Sequence, residues 1–248
     1  MNNKKDYLKA LLTSRIYFAH MSVGDNIIQG VSEIFNTDDY KNLNILKKHE
    51  KHINRKNFIM HSHIGNNTDP VQKCHAFKSI IESEIGDYID IALLKFCYID
   101  INNNTNISQL FNEYKAVMNE LILKFPDITF IHVTTPLRHI DSGFSIWFRE
   151  LIGRPNISKL SNIKRNQFNK LLHSYYKSQP IFDLAAAEST HPDGTRETFK
   201  YKNSETYYGL IAEYTNDNGH LNDKGRKIVA DAFIKQLAII INNKNAKN

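Results

Sequence analysis

Two stretches of this sequence hold residue types that can do chemistry together. Near one end stands Asp217-Asn218-Gly219-His220-Leu221-Asn222. An Asp and a His three residues apart in a loop can reach hydrogen-bond distance. The carboxylate then orients the imidazole and stabilises its protonated form. A plain turn is the competing reading, because Asn, Asp and Gly are turn formers and Asp223 suits a helix cap. Near the other end stands His20-Met21-Ser22-Val23-Gly24-Asp25-Asn26. A serine after a strand and before a helix exposes its hydroxyl beside a helix N-terminus. The free N–H groups and positive dipole end there suit an oxyanion. Taken alone, Ser22 also reads as an ordinary loop or cap residue.

These residues need a scaffold, and the apolar patterning supplies one. Five runs read as strands: Arg15–His20, Asn57–His61, Tyr88–Cys97, Ile128–Thr134 and Pro180–Leu184. Most are continuously apolar, as suits strands covered on both faces. Amphipathic helical patterns lie between and after them, at Asn26–Phe35, Pro70–Ile85, Ile107–Phe125, Ile157–Tyr176 and Asp223–Ile241. Strands alternating with helices predict an α/β fold of three α/β/α layers. Its sheet has about five parallel strands joined by right-handed crossovers. In such sheets ligands bind beyond the carboxyl ends of the strands, where Ser22 falls. The 248 residues read as a single domain, with an insertion expected at 138–166.

Composition narrows the function classes. Hydrophobic residues make up 41% of the chain and aromatic residues 11%, which excludes bulk disorder. Two cysteines, Cys74 and Cys97, cannot make a disulfide framework. No apolar run reaches the roughly 18 residues of a membrane span. Lys9 and then Ser14-Arg15 interrupt the apolar stretch near the start, and no small-residue cleavage site follows. As written, the chain reads as cytoplasmic. The net charge of +6 permits an anionic partner. Its lysines are scattered, however, and no recognition helix, zinc-finger spacing or aromatic RNA-binding motif accompanies them, so no nucleic-acid partner is expected.

A serine after the first strand and a late Asp-x-x-His, with βα units between, resembles the SGNH/GDSL hydrolase family. The resemblance runs from about Ile16 to Leu237, and its most specific piece is DNGHLNDKG. It implies a flavodoxin-like strand order and a serine hydrolase. In the family the serine is the nucleophile, the histidine its base and the aspartate the orienting group. Those roles fall here on Ser22, His220 and Asp217. The family's second motif supplies an oxyanion glycine, for which Gly65 in HIGNNTDP is the candidate. Two departures mark a divergent member. The usual first motif Gly-Asp-Ser is His20-Met21-Ser22 here. The third motif, Gly-x-Asn-Asp, aligns with Lys95-Phe96-Cys97-Tyr98, so its oxyanion asparagine is absent. Asn67 is the expected replacement, because a side-chain amide can donate to the same oxygen.

The implied chemistry is acyl transfer without a metal or organic cofactor. The resemblance points to an esterase for small acyl esters, O-acetyl groups on a carbohydrate foremost. An O-acyltransferase acting on a saccharide and a non-catalytic binding protein retaining the fold are the alternatives. Among other residues, His61 and His63 share a strand face and could join His75 at a metal. No carboxylate or cysteine cluster completes that set in the sequence, so no metal is assigned. His132 and His139 read as structural and Cys97 as a buried hydrophobe. Lys95 is expected either at the site mouth or paired with a carboxylate. Thr134, Thr135, Arg138 and Glu188 are expected near the pocket. Trp147 and Phe148 could stack on a sugar ring.

Overall fold

Buried apolar runs alternating with amphipathic ones give a sheet with helices on both faces. A computed structural model of the chain describes residues 4–37, 43–48, 57–141, 143, 152–153, 155–201 and 205–246. The central strands are β1 (Arg15–His20), β2 (Ile45–Lys47), β3 (Phe58–His63), β4 (Ile91–Leu94), β5 (Thr129–Val133) and β6 (Ile181–Phe182). They lie in the order β2-β3-β1-β4-β5-β6, and every adjacent pair is parallel. Without β2, the order is that of a flavodoxin-like sheet.

The sheet therefore has six strands where the sequence reading gave about five. Three residues make β2, too few to show a period, and it adds to the open edge beside β3. β3 also runs on to His63, beyond the expected end at His61. Its polar tail His61-Ser62-His63 stays in register with Phe18, Ala19 and His20 of β1. In contrast, β4 leaves the ladder at Leu94, well short of Cys97.

The helices are α1 (Lys4–Leu11), α2 (Val23–Thr37), α3 (Pro70–Ile80), α4 (Ile107–Lys124), α5 (Ile157–Tyr175), α6 (Leu184–Ser189) and α7 (Asp223–Asn245). A π-helical turn, Ile81–Ile85, prolongs α3. A hairpin of β7 (Thr198–Tyr201) and β8 (Glu205–Tyr208) stands apart from the main sheet. Helix starts follow side-chain capping. Asp69, Asn106, Asn156 and Asp183 each accept a backbone N–H of the first turn, with Pro70 opening α3. The cap of α7 is Asn222 rather than the expected Asp223. The helix α1 had no counterpart in the sequence reading. Its Leu8 and Leu11 are fully buried, and it packs on α7.

Strand alternation splits the core in two. Ile16 and Phe18 of β1 face a cluster with α1, α2 and α7, while Tyr17 and Ala19 face one with α3, α4 and α5. One contact of the first layer matters for the site. Gly30 of α2 lies where an added Cβ would sit 2.7 Å from Ala230 Cβ and 2.9 Å from the Arg226 carbonyl. Only glycine allows α2 and α7 to approach this closely. The N-terminal ends of these two helices carry the loops of Ser22 and His220.

Candidate active site

Ser22 follows β1 by two residues and immediately precedes α2. Its φ is +61°, a left-handed conformation that a non-glycine residue rarely adopts. Strain of this kind persists where the surrounding structure enforces it, and it gathers at functional sites. Here it turns the chain sharply out of the strand. Ser22 Oγ then lies 2.6 Å from His220 Nε2.

His220 is placed from both sides. Its Nδ1 is 2.6 Å from Asp217 Oδ2, and Asp217 Oδ1 accepts the backbone N–H groups of Gly219 and His220 at 2.9 and 2.7 Å. An ionised carboxylate only accepts, so the Nδ1–H donates to Asp217 and Nε2 is left to accept from Ser22. Partial burial pushes the Asp217 carboxyl up, but the His220 hydrogen bonds and the Gly219 N–H outweigh it. The group stays well below the usual carboxylate range and is ionised at neutral pH. The Leu221 N–H donates to Asn26 Oδ1 at 3.1 Å, tying this loop to the first turns of α2. Arg138 donates to the carbonyls of Asn218 and Asp217 at 3.2 and 3.3 Å. The Tyr98 ring meets His220 edge-on, with centroids 5.6 Å apart.

The expected oxyanion residues sit on the loop after β3, the neighbour of β1. Gly65 has φ +57° and is exposed, as is Asn67. The Lys73 ammonium donates to Asn67 Oδ1 at 3.2 Å. That bond fixes the amide orientation and leaves the Asn67 NH₂ free to donate elsewhere. Lys73 is itself anchored by Asp100 at 2.6 Å, both side chains being fully buried. Asp100 also accepts the Thr68 N–H at 2.9 Å and the Cys97 N–H at 2.7 Å. One buried ion pair thus joins the loops after β3 and β4. Sequence reasoning missed Lys73, because a lysine on an amphipathic helix reads as a solvated face. The signal was Asp100 at the end of an apolar run.

Among the described residues, the other sequence candidates make no side-chain hydrogen bond to Ser22 or His220. His132 is buried between Tyr114 and Gln179, at 2.8 and 2.9 Å. His139 Nδ1 meets the Leu210 carbonyl at 3.1 Å. Lys95 and Glu188 are both fully buried, so neither lines an open pocket. Thr134 and Thr135 are fully buried too, Thr134 donating to Asp183 at 3.0 Å. Trp147, Phe148 and much of the expected insertion lie outside the described residues. His63 does find a carboxylate, Asp25, but His75 is not with them.

The chain is similar in fold to several solved structures. A protein described as "a putative platelet activating factor from Streptococcus pneumonia" is 15% identical with a TM-score of 0.50, over 94% of this chain and 90% of its own. At that identity the likeness is one of fold alone, a parallel α/β sheet flanked by helices. An acetyl xylan esterase, AlAXEase, is 17% identical with a TM-score of 0.49, over 89% of this chain and 98% of its own. A "putative lipolytic protein of G-D-S-L family from Desulfitobacterium hafniense DCB-2" is 8% identical with a TM-score of 0.48, over 90% and 99%. No family model and no curated protein matches the sequence. Among the described residues, no helix is long and apolar enough to cross a membrane.

Proposed function

We propose that this protein is a serine esterase hydrolysing small acyl esters, with O-acetyl groups on a carbohydrate as the substrate class. The observation that carries the esterase reading is the unbroken chain Ser22 Oγ–His220 Nε2 and His220 Nδ1–Asp217 Oδ2, each link 2.6 Å. The substrate class rests on the family resemblance. In this reading His220 takes the Ser22 proton as Oγ attacks the ester carbonyl. The Ser22 and Gly65 N–H groups, with the Asn67 amide, receive the developing oxyanion. The alcohol leaves with the proton held by His220. Water, deprotonated by the same imidazole, then releases the acyl group from Ser22. Roughly half of the Asp217 and His220 side-chain surfaces stays exposed, which leaves room for a polar alcohol such as a sugar.

The test is hydrolysis of p-nitrophenyl acetate by the wild type, Ser22→Ala and His220→Ala. Turnover lost in both variants is the expected result. Turnover that survives Ser22→Ala overturns the choice of nucleophile. If the wild type neither turns over the ester nor takes a fluorophosphonate label on Ser22, the esterase reading fails. Acetylated xylan and acetylated monosaccharides then test the alcohol.

A further inference from the structure

Beside the Ser22 loop, on the face of the sheet covered by α2, three histidines and one aspartate converge. The strand register brings them together. His20 of β1 is the partner of His63 of β3, and His61 lies two residues before His63 on the same face. Asp25, in the first turn of α2, reaches over them. His63 Nε2 lies 2.8 and 3.0 Å from the two Asp25 oxygens. His20 Nδ1 lies 3.9 Å from Asp25 Oδ1, and the three ligand atoms are all within 4.8 Å of one another.

We propose that His20 Nδ1, Asp25 and His63 Nε2 form a binding site for a divalent transition-metal ion, zinc by its donor set.

His20 is the decisive residue. It is fully buried, yet its Nδ1 has no hydrogen-bond partner. A buried polar atom left unpaired is destabilising, and here it lies near the carboxylate and the second imidazole. Its other nitrogen, Nε2, lies 3.0 Å from His61 Nδ1, with the two rings stacked. That is the usual arrangement of a ligating histidine: one nitrogen toward the ion, the other held by an outer partner that fixes the ring.

The backbone accommodates the ring as well. A Cβ on residue 24 would lie 2.4–2.5 Å from His20 Cβ, Cγ and Nδ1, so Gly24 is what lets the imidazole sit under the start of α2.

Bonds of about 2.0–2.2 Å to a central ion set neighbouring ligand atoms about 3.4 Å apart. The present separations lie on both sides of that value. His63 is largely exposed and Asp25 nearly half exposed, so they can adjust around the fixed His20. On binding, the Nε2 hydrogen that His63 now gives to Asp25 is displaced by the metal and released, and the ring's remaining hydrogen sits on Nδ1. Two nitrogens and one carboxylate suit zinc and leave a fourth position open to water. An ion there would brace β1, β3 and α2, the three elements that hold Ser22.

Titration of the untagged protein with ZnCl₂ by isothermal calorimetry tests the site, with no reference to turnover. The expected result is one equivalent per chain, with affinity falling at least tenfold in His63→Ala and in Asp25→Asn and unchanged in His75→Ala. His75 is an exposed histidine on α3 outside the cluster, so it reports surface binding. Circular dichroism establishes that each variant folds. Absence of binding, binding unaltered by His63→Ala or Asp25→Asn, or loss in His75→Ala overturns the site.

Discussion

Ser22 and His220 stand 198 residues apart in sequence, and their reactive atoms stand 2.6 Å apart. The helices that follow them set this distance. α2 and α7 pack against each other, their approach made close by Gly30 against Ala230. Each helix begins just after its site residue, so packing far from the site fixes geometry within it. Asn26 adds a direct tie through the Leu221 N–H.

That tie predicts a separable effect. Asn26→Ala leaves the Leu221 N–H without its acceptor at a cost of about 1 kcal/mol. The His220 loop then loses its register against Ser22, while nothing proposed to touch the ester changes. The expected outcome is a fall in kcat of about tenfold with little change in KM, measured on p-nitrophenyl acetate. A change confined to KM would place Asn26 in substrate binding instead.

The orienting carboxylate predicts a larger loss. Asp217→Asn keeps a group of the same shape, but a neutral amide does not enforce the Nδ1–H tautomer of His220. Replacing the aspartate of such a triad lowers kcat by about 10⁴-fold. Steady-state kinetics near neutral pH check this, with circular dichroism to show an intact fold. A loss below about tenfold would mean that His220 is oriented by other contacts.

The Lys73–Asp100 pair makes a prediction about stability and rate together. Both side chains are fully buried, so removing one strands the other's charge. Lys73→Met and Asp100→Leu are each expected to cost about 3–5 kcal/mol in urea unfolding, and the double variant less than their sum. Lys73→Met also frees Asn67 from its anchor. If the Asn67 amide is an oxyanion donor, Asn67→Ala lowers kcat by about 10²–10³-fold. Lys73→Met should reproduce part of that loss.

Much of this was legible in the residues. The strands β1 and β5 announce themselves as continuous apolar runs, because both faces of the sheet are covered, and α4 by its helical period, with α5 a weaker pattern. Loop position and spacing drew attention to Ser22, Asp217 and His220, while the roles proposed for them came from the family resemblance. What stayed hidden depends on tertiary pairing. The strand β2 is too short to carry a period, and α1 is helical because Leu8 and Leu11 pack on α7. The polar end of β3 reads as loop until its register with β1 is known. For the same reason the carboxylate that joins His63 stayed unseen. Asp25 lies 38 residues earlier, on a different element.

Glu188 predicts an unusual pH dependence of stability. Its carboxyl is fully buried, with Oε1 accepting the Leu137 N–H and Oε2 without a hydrogen bond among the described residues. Burial pushes its pKa up to about 8, against the opposing pull of the Leu137 N–H and the Lys95 and Arg165 charges. In the unfolded chain the group titrates near 4.5. Below that pH both states hold the proton, and no stability depends on it. Between about 4.5 and 8 the unfolded state releases its proton while the folded state keeps it. Stability therefore falls as pH rises through this window and levels off above the folded pKa. Glu188→Gln removes the titration and keeps the shape. Its Tm should match the wild type near pH 4.5 and exceed it by a growing margin up to about pH 8.5. Scanning calorimetry at several pH values reads this directly. The opposite trend, with the wild type gaining on Glu188→Gln as pH rises, would show that Lys95 and Arg165 hold Glu188 ionised in the core.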